Sequence, residues 1–245
     1  MKDFTKFHSD KEIAKYLSNL NLNVEILDAE ADNLTHEQTA EVISKKNPML
    51  AVFVIYGQQP SASTQCMPGG TKTCKLLNDI TSGSIKTIIM GTHASALPKR
   101  TLEEEPYDFV CQGEGPITIS GLIDVIKNNK KDYDKIPGLW YRDGDKNIKS
   151  NIKSNMFDNL DRDLPGQNWN FLDMSKYKAH NWHTFGNLKT RNHYASLQTS
   201  LGCPFKCTFC CINAPFERNT IRFWSPEHVI SQIKILVEKY NIFNI

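Results

Sequence analysis

The chain has 245 residues, 40% hydrophobic and 23% charged, which is ordinary globular composition and enough for one or two domains. Its 29 basic and 27 acidic side chains leave a formal charge of +2, too weak a field to mark a nucleic-acid or membrane binder. The longest apolar run, Met49 to Tyr56, falls far short of a membrane span, and the opening MKDFTKFHSDKE has no apolar core of the kind a signal peptide needs; a cytoplasmic location is the default expectation.

In chain order, Asp10 to Leu20 is short and amphipathic, with Ile13, Tyr16, Leu17 and Leu20 on one helical face. Val24 to Leu27 reads as a short strand and His36 to Lys46 as a helix. MLAVFVIY, 49–56, is continuous, β-branched and aromatic, as suits a parallel strand buried on both faces. Gly69 to Ile80 is a predicted helix, Ile85 to Met90 the next buried strand, Asp108 to Cys111 a short strand and Pro116 to Lys127 a helix. This alternation predicts an α/β fold, a doubly wound parallel sheet of Rossmann-like type, over residues 1–130. Ligands of such sheets bind at the carboxyl ends of the strands. The unusual loops fall there: Tyr56-Gly57-Gln58-Gln59-Pro60-Ser61, Gly91-Thr92-His93-Ala94-Ser95 and Gln112-Gly113-Glu114-Gly115.

Residues 138–150 read as a hairpin around Asp143-Gly144-Asp145. Residues 151–193 are polar and aperiodic, so 131–193 is read as hairpin and linker. His180, His183 and His193 within it are too widely spaced for a metal site. From Tyr194 the pattern sharpens. YASLQTS is a predicted strand; Ser225 caps a helix with Pro226 at its first position and Glu227 in its first turn. Val229, Ile233, Leu236 and Tyr240 share one helical face, and Asn241 to Ile245 could open another strand.

Seven cysteines are present, and four of them, Cys203, Cys207, Cys210 and Cys211, lie within nine residues. A disulfide framework is not expected in a cytosolic chain of this size. The spacing of Cys203, Cys207 and Cys210 is C-x3-C-x2-C. Three thiolates on so short a loop can each reach a different iron of one cubane, leaving an iron open where a fourth cysteine would complete an electron carrier. Zinc is the alternative, although structural zinc takes a fourth ligand and typically paired C-x2-C units. Cys211 is either a fourth ligand or a buried thiol, and Cys66 and Cys74 read as buried thiols.

This loop, following Gln198-Thr199-Ser200-Leu201-Gly202, with Phe209 before the last cysteine and Trp224-Ser225-Pro226-Glu227 opening the next helix, resembles the signature of the radical S-adenosylmethionine (radical SAM) superfamily. The resemblance implies that Cys203, Cys207 and Cys210 hold a 4Fe-4S cluster and that Phe209 packs near the adenine of SAM. It implies that the open iron chelates SAM, whose reductive cleavage yields a 5′-deoxyadenosyl radical. It also implies an electron donor such as flavodoxin or ferredoxin, and residues 194–245 as the start of a β/α partial barrel. The loop 212–216 is expected near the active site.

Residues 22–125 resemble the cobalamin-binding domain that precedes many radical SAM enzymes. The matching stretches are 24–29, Gly91 to Pro98, and Tyr107 to Gly115. By that resemblance Tyr56, Gly57, Gly91, Thr92, His93, Gly113, Glu114 and Gly115 lie near the corrin or its nucleotide tail, where glycine lets backbone approach a flat ligand closely. The D-x-H-x-x-G motif is absent, so the lower cobalt ligand is unassigned; His93 reads as structural rather than as that ligand. The family's first strand also has no counterpart, and the few strand–helix units after residue 194 suggest a fragment without the activity of a whole enzyme. The expectation is therefore a cobalamin-dependent radical SAM enzyme acting on a small molecule, most often to methylate an unactivated carbon and in some members to close a ring. Its cofactors would be cobalamin, SAM and a 4Fe-4S cluster. A corrinoid-binding module with a vestigial barrel and a cobalamin-free radical SAM enzyme are the alternatives.

Overall fold

The structure, a computed structural model, describes residues 9–56, 62–144, 147–178, 192–216 and 218–245. Helix α1 (Ser9–Asn19) comes first, and 22–28 then run extended without joining a ladder. The strand predicted at Val24 to Leu27 is thus not formed. This segment is instead held by its end: Asp28 accepts hydrogen bonds from the Ala31 amide (3.0 Å) and the Tyr177 hydroxyl (2.7 Å).

Next come helix α2 (His36–Lys46), strand β1 (Leu50–Val54), helix α3 (Ala62–Thr81) and strand β2 (Lys86–Met90). They are followed by helices α4 (Thr92–Ala96) and α5 (Pro98–Glu104), strand β3 (Phe109–Cys111) and helix α6 (Pro116–Lys127). The ends of α2 are written locally. Thr35 and Gln38 close a reciprocal capping box, and Asn47 takes the left-handed conformation (φ 45°) beyond the last turn.

Strands β1, β2 and β3 are parallel and adjacent in chain order, with Leu50 opposite Lys86 and Ile88 opposite Phe109. The predicted hairpin is present as β4 (Leu139–Asp143) and β5 (Asn147–Ser150). It extends this same sheet antiparallel beyond β3, so the sheet is mixed and its order is β1-β2-β3-β4-β5. Thr87, Ile88, Ile89 and Met90 are all buried. Successive strand side chains point to opposite faces, so β2 is covered on both. The run at β1 was expected to be equally buried, but Val52, Phe53 and Val54 are only half-buried, because β1 ends the strand order and has one neighbour rather than two.

Helix α3 begins seven residues before the predicted start, running through Pro68. A proline inside a helix removes a backbone hydrogen bond; here the lost bond is offset by a face that buries Ser63, Cys66, Met67, Cys74 and Leu77. Gly70 on this helix has a packing reason: a Cβ there would lie 2.8 Å from Ile55 Cδ1 and 2.9 Å from Tyr107 Oη.

Asp108 ties β3 to β2. Its carboxylate accepts the Thr87 amide and hydroxyl, both at 2.9 Å, and faces Lys86 Nζ at 3.0 Å. Thr87 is fully buried, and an orphaned buried donor costs about 1–3 kcal/mol, whereas the half-exposed lysine pair adds little. Asp108→Ala is expected to cost about 2 kcal/mol in denaturant titration, and Lys86→Ala well under half of that.

The described residues of 34–156 and 202–220 group into one compact unit, and those of 8–33, 157–201 and 221–245 into another. The second contains α1, helix α7 (Leu160–Asp163), strand β7 (Ile221–Phe223) and helix α8 (Pro226–Tyr240); strand β6 (Ser200–Gly202) pairs with β7. Much of the expected linker is core here. Trp169, Met174, Ala195, Leu236 and Ile242 pack in one cluster, and Leu160, Leu164 and Trp224 in another. The Trp224 indole N–H reaches the Leu164 carbonyl at 2.9 Å. Helix α8 starts as read: the Ser225 hydroxyl accepts the His228 amide at 3.1 Å. The strand expected from Tyr194 is shorter, reduced to β6 and one parallel bridge between Tyr194 and Asn244. That bridge places the segment before the cysteines parallel to the segment after α8, a β-α-β relationship. Gly166 (φ +79°) lies in this unit, and a Cβ there would come 2.6 Å from His228 Nε2 and 2.9 Å from Gln232. Gly166→Ala is expected to destabilise by about 1–3 kcal/mol, read as a lowered thermal midpoint. No helix among the described residues is long and apolar enough to cross a membrane.

Candidate functional site

The loops at the carboxyl ends of β1, β2 and β3 are joined to one another by short polar side chains. After β1, the Ser63 hydroxyl donates to the Ile55 carbonyl (2.6 Å) and accepts the His93 amide (3.0 Å). Thr64 Oγ1 meets His93 Nδ1 at 2.9 Å. After β2, the Ser95 hydroxyl accepts the Gly113 amide at 3.3 Å. Gln112 donates to the Ser95 carbonyl (3.3 Å) and accepts the Trp140 indole N–H (2.9 Å). Three of these four links between loops involve Ser63 or Ser95; Ser95 and Gln112 lie within the loops expected at the strand ends, while Ser63 and Thr64 lie outside them. The sequence signal was modest: hydroxyls and an amide flanking glycines at strand ends.

Three glycines shape this edge. Gly91 (φ +139°) precedes α4, Gly113 has φ +132° and Gly115 (φ +105°) precedes α6. L side chains rarely adopt such values. Gly91 is needed for close packing, since a Cβ would lie 1.9 Å from the Ile55 carbonyl oxygen. Gly113 differs: it is buried, yet a Cβ there would make only an ordinary contact, with Ser154 Cβ at 3.9 Å. Thr92 is buried, and Tyr56, His93 and Glu114 are half-buried. Gly57 lies outside the described residues. Glycines beside braced loops at the carboxyl end of a parallel sheet fit a large flat ligand.

Burial lowers the His93 pKa below its ordinary value of 6.5, with Glu105, Arg100 and Glu104 as lesser influences. The folded state therefore favours the neutral ring. That contribution to stability is complete above about pH 6.5 and is lost as pH falls through the lower folded value. The thermal midpoint of the wild-type chain is expected to fall more than that of His93→Gln between about pH 7.5 and about pH 5.5.

The cysteine loop joins β6 to β7 and groups with the sheet-bearing unit. Cys203 and Cys210 are half-buried and Cys207 is exposed. The Cys210 amide donates to the Cys207 carbonyl at 3.1 Å, forming one tight turn. No three metal-ligating side chains converge on a single point among the described residues. Zinc and a cubane both need their thiolates gathered about one centre, and three thiols on one loop supply donor chemistry of that kind. Phe209 is 91% exposed. Cys74 and Cys111 are different: burial pushes their pKa values up to about 12, which marks them as inert thiols. Cys66 is likewise buried. Burial also raises the pKa of Cys211. His193 enters a bridge with Lys178, while His180 and His183 lie outside the described residues.

Residues 11–123 match the family described as B12 binding domain. An uncharacterized methyltransferase, PH0819 of Pyrococcus horikoshii, is 28% identical over 221 residues, covering 90% of this chain and 43% of that protein. The anaerobic magnesium-protoporphyrin IX monomethyl ester cyclase of Rubrivivax gelatinosus is 23% identical over 223 residues, 90% of this chain and 37% of that one. The chain thus spans under half the length of these relatives. Among solved structures, the cobalamin-dependent S-adenosylmethionine radical enzyme OxsB with aqua-cobalamin bound superposes with a TM-score of 0.66 at 21% identity, over 96% of this chain and 30% of that one. Residues 11–123 thus match the B12 binding domain family, and the chain shares its fold with a cobalamin-dependent S-adenosylmethionine radical enzyme.

Proposed function

We propose that this chain carries the cobalamin-binding and cluster-binding parts of a radical SAM enzyme whose reaction is methylation of an unactivated carbon. The observation that carries the reading is the set of braced, glycine-lined loops at the carboxyl ends of β1–β3 within a B12 binding domain, followed by the exposed C-x3-C-x2-C loop. When bound, the cluster supplies the electron that cleaves SAM, and cobalamin carries the methyl group.

The chain's own residues bind and orient. Cys203, Cys207 and Cys210 would supply the three thiolates that hold the cluster. Phe209, next to Cys210, offers a free aromatic face on which an adenine can stack. Gly113 and Gly115 let backbone approach the corrin edge, while Ser63, Ser95 and Gln112 keep the three loops in register. The parallel bridge between Tyr194 and Asn244 around α8 supports reading 194–245 as the first strand–helix unit of a β/α barrel. A small-molecule substrate and a one-electron donor of flavodoxin or ferredoxin type complete the assignment. Methyl transfer is the leading reading and ring closure the second, and relatives of both kinds are similar to this chain.

The test is anaerobic reconstitution with iron, sulfide and hydroxocobalamin, followed by desalting, an absorbance spectrum and metal counts. The expected result is about four irons and near-stoichiometric cobalt per chain. Cobalt without iron would reduce the chain to a corrinoid-binding module. Iron without cobalt would make the sheet domain a scaffold, and bound zinc in a colourless protein would refute the cluster.

A further inference from the structure

The cysteine loop has little apolar packing to hold its shape. Phe205 and Phe209 are 70% and 91% exposed, and Pro204, Lys206, Cys207 and Thr208 are exposed as well. A loop so poorly buried should pay a large ordering cost when it meets a cluster, unless hydrogen bonds order it beforehand.

One side chain supplies them. Asn213 Oδ1 accepts the Cys203 amide at 3.0 Å, and Asn213 Nδ2 donates to the Cys203 carbonyl at 2.8 Å. Both main-chain polar groups of the first cysteine are thus engaged by a single amide, as a neighbouring strand would engage them. The same Nδ2 also reaches the Phe205 carbonyl (3.3 Å) and Asn219 Oδ1 (2.9 Å). Asn213 is itself presented by a turn: Ala214 donates to the Cys211 carbonyl and Phe216 to the Asn213 carbonyl, both at 2.9 Å. Because Asn213 follows Cys210 by three residues, these bonds link the first cysteine to the chain just past Cys210 without using the thiols of Cys203, Cys207 or Cys210.

We infer that Asn213 is a positioning residue: it clasps the cysteine loop closed so that Cys203 is held in register with Cys207 and Cys210 for cluster assembly. This inference rests on the assignment of the three cysteines as cluster ligands. The amide places a donor and an acceptor on two separate atoms of one short side chain, so leucine keeps the size and loses the clasp, and aspartate keeps only the acceptor.

The experiment compares wild-type chain, Asn213→Leu and Asn213→Asp in two states. In the metal-free protein, amide hydrogen exchange at Cys203 is expected to speed up by about 10-fold or more in Asn213→Leu and by less in Asn213→Asp. Exchange within β2 should not change, which shows that the fold survives. After anaerobic reconstitution, iron per chain and the cluster's visible absorbance are expected to fall several-fold in Asn213→Leu, with a smaller loss in Asn213→Asp. Unchanged exchange at Cys203 would overturn the clasp, and equal iron uptake by wild type and Asn213→Leu would overturn its role in assembly. If the wild-type chain takes up no iron, the ligand assignment and the assembly role fall together, and the exchange result alone decides whether Asn213 closes the loop.

Discussion

Cys203→Ala is expected to abolish cluster assembly, taking iron from about four per chain to near zero while leaving cobalt binding intact. With one of three ligands gone, a second iron loses its thiolate and the cubane is held by only two points. The substitution should not disturb the fold, because Cys203 is half-buried and packs in none of the core clusters. The loop and the strand-end glycines lie on different segments, so retained cobalt separates loss of the cluster from loss of the protein. Cys211→Ala is the matched control. Cys211 lies outside the C-x3-C-x2-C spacing, and iron content should remain near that of wild type. Metal analysis with the visible spectrum reads both variants. An equal loss in Cys211→Ala would make it a ligand and refute the three-cysteine assignment.

Gly91→Ala is expected to be the most destabilising single methyl in the sheet-bearing unit, costing about 3–5 kcal/mol. Two penalties combine. The φ of +139° is one that L residues rarely adopt, and the new Cβ would lie 1.9 Å from the Ile55 carbonyl oxygen and 2.7 Å from its carbon. The neighbour cannot retreat cheaply. The Ile55 amide donates to the Met90 carbonyl at 2.8 Å, and its own carbonyl accepts from Ser63 at 2.6 Å. Moving Ile55 would break the link between β1 and β2 and the brace to α3 together. A loss of that size is a large share of the stability of a typical domain, so the variant should melt far lower or accumulate insoluble. Gly113→Ala provides the contrast. Its Cβ would make only an ordinary contact, with Ser154 Cβ at 3.9 Å, so the stability cost should be limited to about 1–2 kcal/mol of backbone strain, while on the proposed assignment the added methyl stands where a flat ligand would approach. Cobalamin affinity should therefore fall in Gly113→Ala out of proportion to the change in melting, as measured by titration against thermal denaturation. Equal affinity for wild type and Gly113→Ala would place the corrin elsewhere.

The features that sequence by itself determined are those written in local chemistry. The bounds of α2 and α6, the Ser225-Pro226 start of α8, the buried run at β2 and the hairpin at 139–150 follow from caps, periodicity and turn residues only a few positions apart. The family resemblance was legible for the same reason, since the cysteine spacing and the glycine loops are short contiguous words. Tertiary structure decided what depends on distant partners. Val24 to Leu27 have strand-forming side chains but join no ladder, because pairing needs a neighbour that no local pattern can promise. The 157–178 segment looks like a linker, yet Leu160, Leu164, Trp169 and Met174 are buried, because isolated apolar residues without a period reveal nothing until other elements close over them. Pro68 stops no helix, since the burial on its helix outweighs one missing hydrogen bond. Asn213, Ser63 and Ser95 are ordinary polar residues in the sequence; they matter because folding brings each within hydrogen-bonding distance of a backbone group 10 to 30 positions away, and a hydrogen bond depends on that distance in space and not on separation along the chain.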